Sequence, residues 1–196
     1  MLRPVDFFYH SHLTTTTGAG YILPIQDTRP RIIPAMTLET PRLFIRPFED
    51  GDRVLLIGML MDPGFMEYAE NGPFTEPGAH RRFDAILHYA ERGLGKQALI
   101  EKASGILIGY CGIEPFELDG REFLELGYRV MPAFRNRGYA SEAAKALAMA
   151  HRGSLFAYVE AANAVSIRVL QKAGFDFSRE ILYHDRPVQL YEYKTK

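Results

Sequence analysis

The segment Tyr128-Arg-Val-Met-Pro-Ala-Phe-Arg-Asn-Arg-Gly-Tyr-Ala-Ser-Glu142 joins a strand to a helix through a basic loop. Apolar residues up to Val130 suit a strand that stops at Pro132. Arg135, Arg137 and Gly138 form the loop, and a helix opens near Tyr139. The first turn of a helix presents unpaired N–H groups and partial positive charge, a ready place for an anion. Gly138 lets backbone approach a ligand closely, Ala140 keeps the helix start slim, and two arginines suit phosphate. The loop therefore predicts a phosphate or pyrophosphate site. Taken alone, it also fits a plain helix start carrying two solvated arginines.

Downstream runs Asn163-Ala-Val-Ser-Ile-Arg-Val-Leu-Gln-Lys-Ala-Gly-Phe175, and upstream stand Leu38-Glu-Thr-Pro-Arg-Leu-Phe-Ile-Arg46 and Glu125-Leu-Gly-Tyr-Arg-Val-Met-Pro132. In this order the segments resemble the GNAT superfamily of N-acetyltransferases. Arg135-x-x-Gly138-x-Ala140 matches its acetyl-CoA pyrophosphate loop, and Asn163-x-x-Ser166 with Lys172-x-Gly174-Phe175 matches the next helix. The upstream segments are similar to the branch containing the ribosomal-protein alanine N-acetyltransferases. The resemblance covers roughly residues 37–180. It implies a mixed α/β fold, a central twisted sheet of about seven strands flanked by about four helices.

It also implies direct transfer of an acetyl group from acetyl-CoA to a primary amine, on a protein N-terminus or a small molecule, without a metal. Cofactor contacts then fall to Val130, Arg135, Arg137, Gly138, Tyr139, Ala140, Ser141, Asn163 and Ser166. Amines are mostly protonated at neutral pH, so the reaction asks for a base. Glu125 is the first candidate, with Glu114 and Glu122 as rivals; any of them can also be a solvated strand-end carboxylate. A backbone N–H near Val130 would serve the oxyanion. Many members carry a tyrosine acid where Leu170 stands here, which leaves Ser166, or a serine that merely bonds backbone. Asn163 can cap its helix and bond the pantetheine arm. Two further departures are a stretch from Gly138 to Asn163 shorter by about a helical turn or more, and residues 1–36, which have no counterpart. They keep open a second reading, a CoA-binding sensor or interaction protein without catalysis.

Composition agrees with one globular domain. The 196 residues are 47% hydrophobic and carry 23 basic and 24 acidic side chains, a net charge of −1. That balance gives no global attraction to nucleic acid. A single cysteine, Cys111, excludes a disulfide scaffold, and Cys111 reads as a small core residue. The six histidines are scattered without metal-ligand spacing. No apolar run approaches the ~20 residues of a membrane span and no signal peptide is evident, so a cytoplasmic monomer or homodimer is the default expectation.

Residues 1–36 show neither helical nor strand periodicity and are expected as an irregular extension to a domain over 37–196. Within that domain the pattern predicts a strand at 43–47, helices at 54–61 and 75–93, and strands at 98–100, 106–113 and 123–130. A helix at 139–151, a strand at 155–159, a helix at 164–172 and strands at 175–182 and 188–193 follow. Asp50 or Asp52 is expected to cap the first helix, and Asp119-Gly120 to turn a hairpin. His80, Arg81 and Arg82 form a small basic cluster, either a solvated face or a feature that favours an acidic acceptor.

Overall fold

The computed structural model describes residues 37–69 and 71–195, so the expected extension at 1–36 lies outside the described residues. The element order is β1 (Leu38–Glu39), β2 (Leu43–Pro47), α1 (Arg53–Met61), α2 (Glu76–Glu91), β3 (Gly95–Glu101), β4 (Leu107–Leu118), β5 (Arg121–Val130), α3 (Tyr139–Ala150), β6 (Leu155–Val159), α4 (Ala164–Ala173), β7 (Asp176–Tyr183) and β8 (Arg186–Tyr193). The eight strands form one sheet in the order β1-β2-β3-β4-β5-β6-β8-β7. All neighbours are antiparallel except β5 and β6.

Local chemistry explains most boundaries. Thr75 caps α2, its hydroxyl accepting from Gly78 N–H, and Pro77 occupies the first turn, where a missing N–H costs nothing. Gly93, with φ of 71°, follows the end of α2. Asp119 and Gly120 take φ of 53° and 71° and close the tight β4–β5 hairpin. The expected cap of α1 is revised in its chemistry. Asp52 stands at the cap position, but its carboxylate accepts from Arg46 at 2.6 and 2.9 Å and from Glu49 N–H at 2.9 Å, closing the turn before the helix.

β4 runs five residues past the expected end at Ile113, through Pro115. Its pairing with β3 stops at Ile113, whereas pairing with β5 continues to Leu118. Strand alternation turns the Pro115 nitrogen toward the open side, so no ladder bond is lost. The eighth strand, β1, is a two-residue pairing with β2 too short to read from periodicity.

The sheet separates two cores. On one face α1 and α2 pack Leu56, Leu60, Phe83 and Ile86 against Ala98 and Tyr110. On the other, α3 and α4 pack Ala144, Leu147 and Leu170 against Leu99, Cys111, Leu126 and Val130. Each large side chain so enclosed stabilises the fold by roughly 1.5–3 kcal/mol. Despite the short stretch after Gly138, α3 keeps twelve residues and buries Tyr139, Ala143, Ala144, Leu147 and Ala148. No described helix is long and apolar enough to cross a membrane.

Candidate active site

β5 and β6 meet at a single register pair, Glu125 with Phe156. Beyond it the parallel strands diverge, and a cleft of about 660 Å³ opens between them, lined from Glu125 to Val130 on one side and from Ala157 to Glu160 on the other. Met131 N–H donates to Ile108 O on β4. By alternation, the N–H groups of Val130 and Tyr128 point away from β4 and into the gap, while that of Leu126 serves the pairing with β6.

The cleft ends on the start of α3. Gly138 is the cap residue, with φ of 84°, and Asn136 also sits at positive φ, 60°. The first backbone bond of the helix is Glu142 N–H to Gly138 O at 3.0 Å. The N–H groups of Tyr139, Ala140 and Ser141 precede it and have no place in the helical ladder. Thr40, Arg42 and Glu142 hold this start in place. The Glu142 carboxylate accepts from Thr40 Oγ1 at 2.6 Å, Arg42 N–H at 2.9 Å and Arg42 Nε at 2.7 Å, while Arg42 Nη1 donates to Arg137 O at 2.7 Å. Tyr139 is buried, hydrogen-bonds Glu101 and lies under the Arg42 guanidinium. The Tyr139 side chain thus fixes the loop from within the core.

The two loop arginines differ. The Arg135 guanidinium borders the cleft but donates to Val130 O at 3.1 Å and Gly64 O at 2.5 Å and pairs with Glu67 at 2.7 Å, bracing the loop against the turn after α1. Arg137 is exposed, its guanidinium 5.4 Å from the centre of the Phe134 ring. Two cations that the sequence reading did not name as cofactor contacts, Arg168 and Lys172, line the cleft one turn apart on α4. Their i, i+4 spacing was the available signal.

Asn163 caps α4 as expected, its Oδ1 accepting from Ser166 N–H at 3.1 Å. Ser166 is half-buried and lines the cleft, and Tyr128 donates from β5 to Ser166 O at 3.0 Å. Burial pushes the Tyr128 phenol up, so it keeps its proton at neutral pH. Leu170 is 1% exposed and belongs to the core. Cys111 is fully enclosed, and burial pushes its thiol up to about 12, which leaves no thiolate for attack.

The candidate bases separate clearly. Glu122 is exposed and away from the cleft residues, in register with Glu117. Glu114 and Glu125 are cross-strand neighbours and both line the cleft. Glu114 receives Arg82 Nη2 on both oxygens, at 2.7 and 2.8 Å, and Lys96 Nζ at 3.3 Å. Of the basic cluster on α2, His80 and Arg81 are exposed, whereas Arg82 turns inward to this pair. Burial pushes the Glu114 carboxyl up, but the Lys96 and Arg82 charges outweigh it and hold it at about 2 instead of 4.5.

That depression has a consequence for stability. The carboxyl's folded value lies below its unfolded one, so its ion pairs add stability above about pH 4.5 and lose it as pH falls toward 2. Urea midpoints are expected to hold steady from pH 5.5 to 8 and to fall below about 4.5. The Glu114→Gln variant should show a shallower fall; an identical slope would place the acid-sensitive groups elsewhere.

Comparison with known sequences decides the lineage: the acetyltransferase (GNAT) domain family matches residues 42–176. The chain belongs to the GNAT acetyltransferases. A relative, the uncharacterized protein YkkB of Bacillus subtilis (strain 168), is 31% identical over 166 residues, spanning 81% of this chain and 95% of its own. A GNAT-family acetyltransferase structure from Bacillus anthracis superposes with a TM-score of 0.64 at 26% identity, over 81% of this chain and 96% of that one. RimL, the ribosomal L7/L12 alpha-N-protein acetyltransferase solved with coenzyme A, shares the fold at a TM-score of 0.64 and 13% identity, over 79% of this chain and 95% of its own. The expected fold class and the expected superfamily therefore hold for this GNAT protein, which is an N-acetyltransferase that draws on acetyl-CoA.

Proposed function

We propose that the protein moves the acetyl group of acetyl-CoA directly to a primary amine, on a protein N-terminus or a small molecule, with Glu125 as the base. The observation that carries this is the one-pair junction of β5 and β6, which opens a gap bordered by Tyr128 and Val130 and running to the first turn of α3. A pyrophosphate suits Gly138, Tyr139, Ala140 and Ser141 at that turn, with Arg135 shaping the loop and Arg137 adding charge nearby. Arg168 and Lys172 supply further charge for phosphate. The pantetheine arm suits the β5 edge and the Asn163 side chain.

Glu125 accepts a proton from the ammonium, directly or through water, and frees the nitrogen lone pair. Nitrogen attacks the thioester carbon, and the oxyanion meets backbone N–H groups near Val130. As the C–N bond forms and the C–S bond breaks, the nitrogen sheds its second proton and the departing thiolate takes one. Ser166 is the candidate relay, giving its hydroxyl proton to sulfur and regaining one from nitrogen. RimL acts on a protein α-amino group, so free N-termini are the first acceptors to try.

The non-catalytic reading rests on Leu170, which is sealed in the core and offers no acid. Calorimetric titration with acetyl-CoA, followed by mass spectrometry on peptides with free N-termini and on small amines, separates the two. Micromolar binding with acetylated product supports the enzyme. Binding without transfer to any amine supports the sensor, and no binding overturns both.

A further inference from the structure

Lys96 belongs to none of the sequence motifs, yet its side chain is only 7% exposed and reaches across the sheet to the candidate base. It stands in register with Gly112 on β4, which is in register with Gly127 on β5. A Cβ at Gly127 would lie 2.6 Å from Lys96 Nζ and 2.9 Å from Glu125 Oε1, so the missing side chain is what admits the ammonium. From there Nζ is 3.3 Å from Glu114 and 3.7 Å from Glu125.

The groups facing Lys96 are Arg82 from α2, Tyr110 and Glu114 from β4, and Glu125 from β5. Burial pulls the Lys96 amine down, but the two carboxylates outweigh it and hold it above its ordinary 10.5. Arg82 pairs with Glu114 through the forked contact, whereas the Lys96 charge lies between Glu114 and Glu125 and is the ion-pair partner of Glu125 among the described residues. Without it, two like charges would stand directly opposite across the β4–β5 ladder.

We propose that Lys96 is a positioning residue for acetyl transfer, holding the Glu125 carboxylate at the cleft floor in the orientation and charge state that accepting a proton requires. The inference rests on Glu125 being the base. The four charges sum to zero before transfer and to +1 once Glu125 holds the proton. That imbalance favours passing the proton on to solvent and resetting the site.

Two measurements test it. In protein labelled with 13C-lysine, the Lys96 ε-carbon is expected to titrate at lower pH in Glu125→Gln than in the wild type, by about one unit or more. The coupling is reciprocal, so that shift also measures how strongly Lys96 favours the charged form of its partner. An unchanged midpoint overturns the proposal.

The second is the pH profile of kcat/KM with acetyl-CoA and a peptide bearing a free N-terminal alanine. In Lys96→Met its acid limb should move up by about one to three pH units, with KM for acetyl-CoA within about twofold of wild type. Lys96→Arg should restore the profile in large part. If Lys96→Met does not fold, Gly127→Ala displaces the ammonium while keeping its charge and should move the limb the same way by less. An unmoved limb in the folded variant overturns the proposal. Intact Lys96–Glu125 coupling without acetyl transfer by the wild type would instead overturn Glu125 as base.

Discussion

Gly138→Asp is expected to weaken acetyl-CoA binding by at least about 100-fold, or roughly 2.7 kcal/mol, without unfolding the protein. Gly138 sits at φ of 84° as the cap of α3, and a Cβ there meets nothing nearer than Arg42 Nη2 at 3.3 Å. Aspartate tolerates left-handed backbone better than other side chains and is a preferred N-cap, so the melting temperature should move by only a few degrees. The same capping disables the site. The new carboxylate would accept the N–H of Ala140 or Ser141, groups a phosphate needs, and would repel the phosphate with its charge. Gly138→Ala separates strain from charge. It costs about 1 kcal/mol of backbone strain yet should weaken binding less than tenfold. Calorimetry that finds wild-type affinity in Gly138→Asp would move the phosphate site elsewhere.

Glu125→Gln is expected to lower the acetyl-transfer rate by about 10²–10⁴-fold with acetyl-CoA affinity near wild type and only a modest loss of stability, because Lys96 keeps Glu114 at 3.3 Å. Its partner across the ladder should behave in the opposite way. Glu114→Gln leaves Arg82 and Lys96 facing each other across a neutral amide, and breaking such an enclosed group costs about 3–5 kcal/mol. The Glu114→Gln loss should therefore appear in urea denaturation. A carboxylate held at about 2 by two cations is also a poor proton acceptor at neutral pH, because those cations must give up their partner for the proton to stay. If Glu114→Gln instead abolished the rate at unchanged stability while Glu125→Gln kept it, the roles would be reversed.

The two carboxylates show where reading a sequence runs out. Glu114, Glu122 and Glu125 look alike along the chain: strand-end acids near apolar runs. Pairing removes Glu122, which lies toward the hairpin tip, and the inward turn of Arg82 separates the other two. Arg82 stands next to two exposed residues, His80 and Arg81, and nothing local distinguishes it from them. Arg135 gives a subtler case. Its motif marks it for phosphate, but its guanidinium is engaged by Val130 O, Gly64 O and Glu67. That last partner comes from a turn sixty-eight residues away, which no local pattern announces.

What the amino-acid order determined by itself was the set of devices that act within about four residues. Thr75 and Pro77 start α2, Asp119-Gly120 turns the hairpin, Asn163 caps α4, and Gly138 at positive φ opens α3. Each depends on dihedral preference and short-range hydrogen bonding, which are written into neighbouring residues. Tertiary structure alone decided the rest. Strand register set Lys96 across two glycines to meet Glu114 and Glu125, and the divergence of β5 from β6 after one pair turned a strand edge into a cleft. Register is chosen by which faces of distant strands bury together, so the chemistry it assembles is settled by packing across the sheet and not by any neighbourhood in the chain.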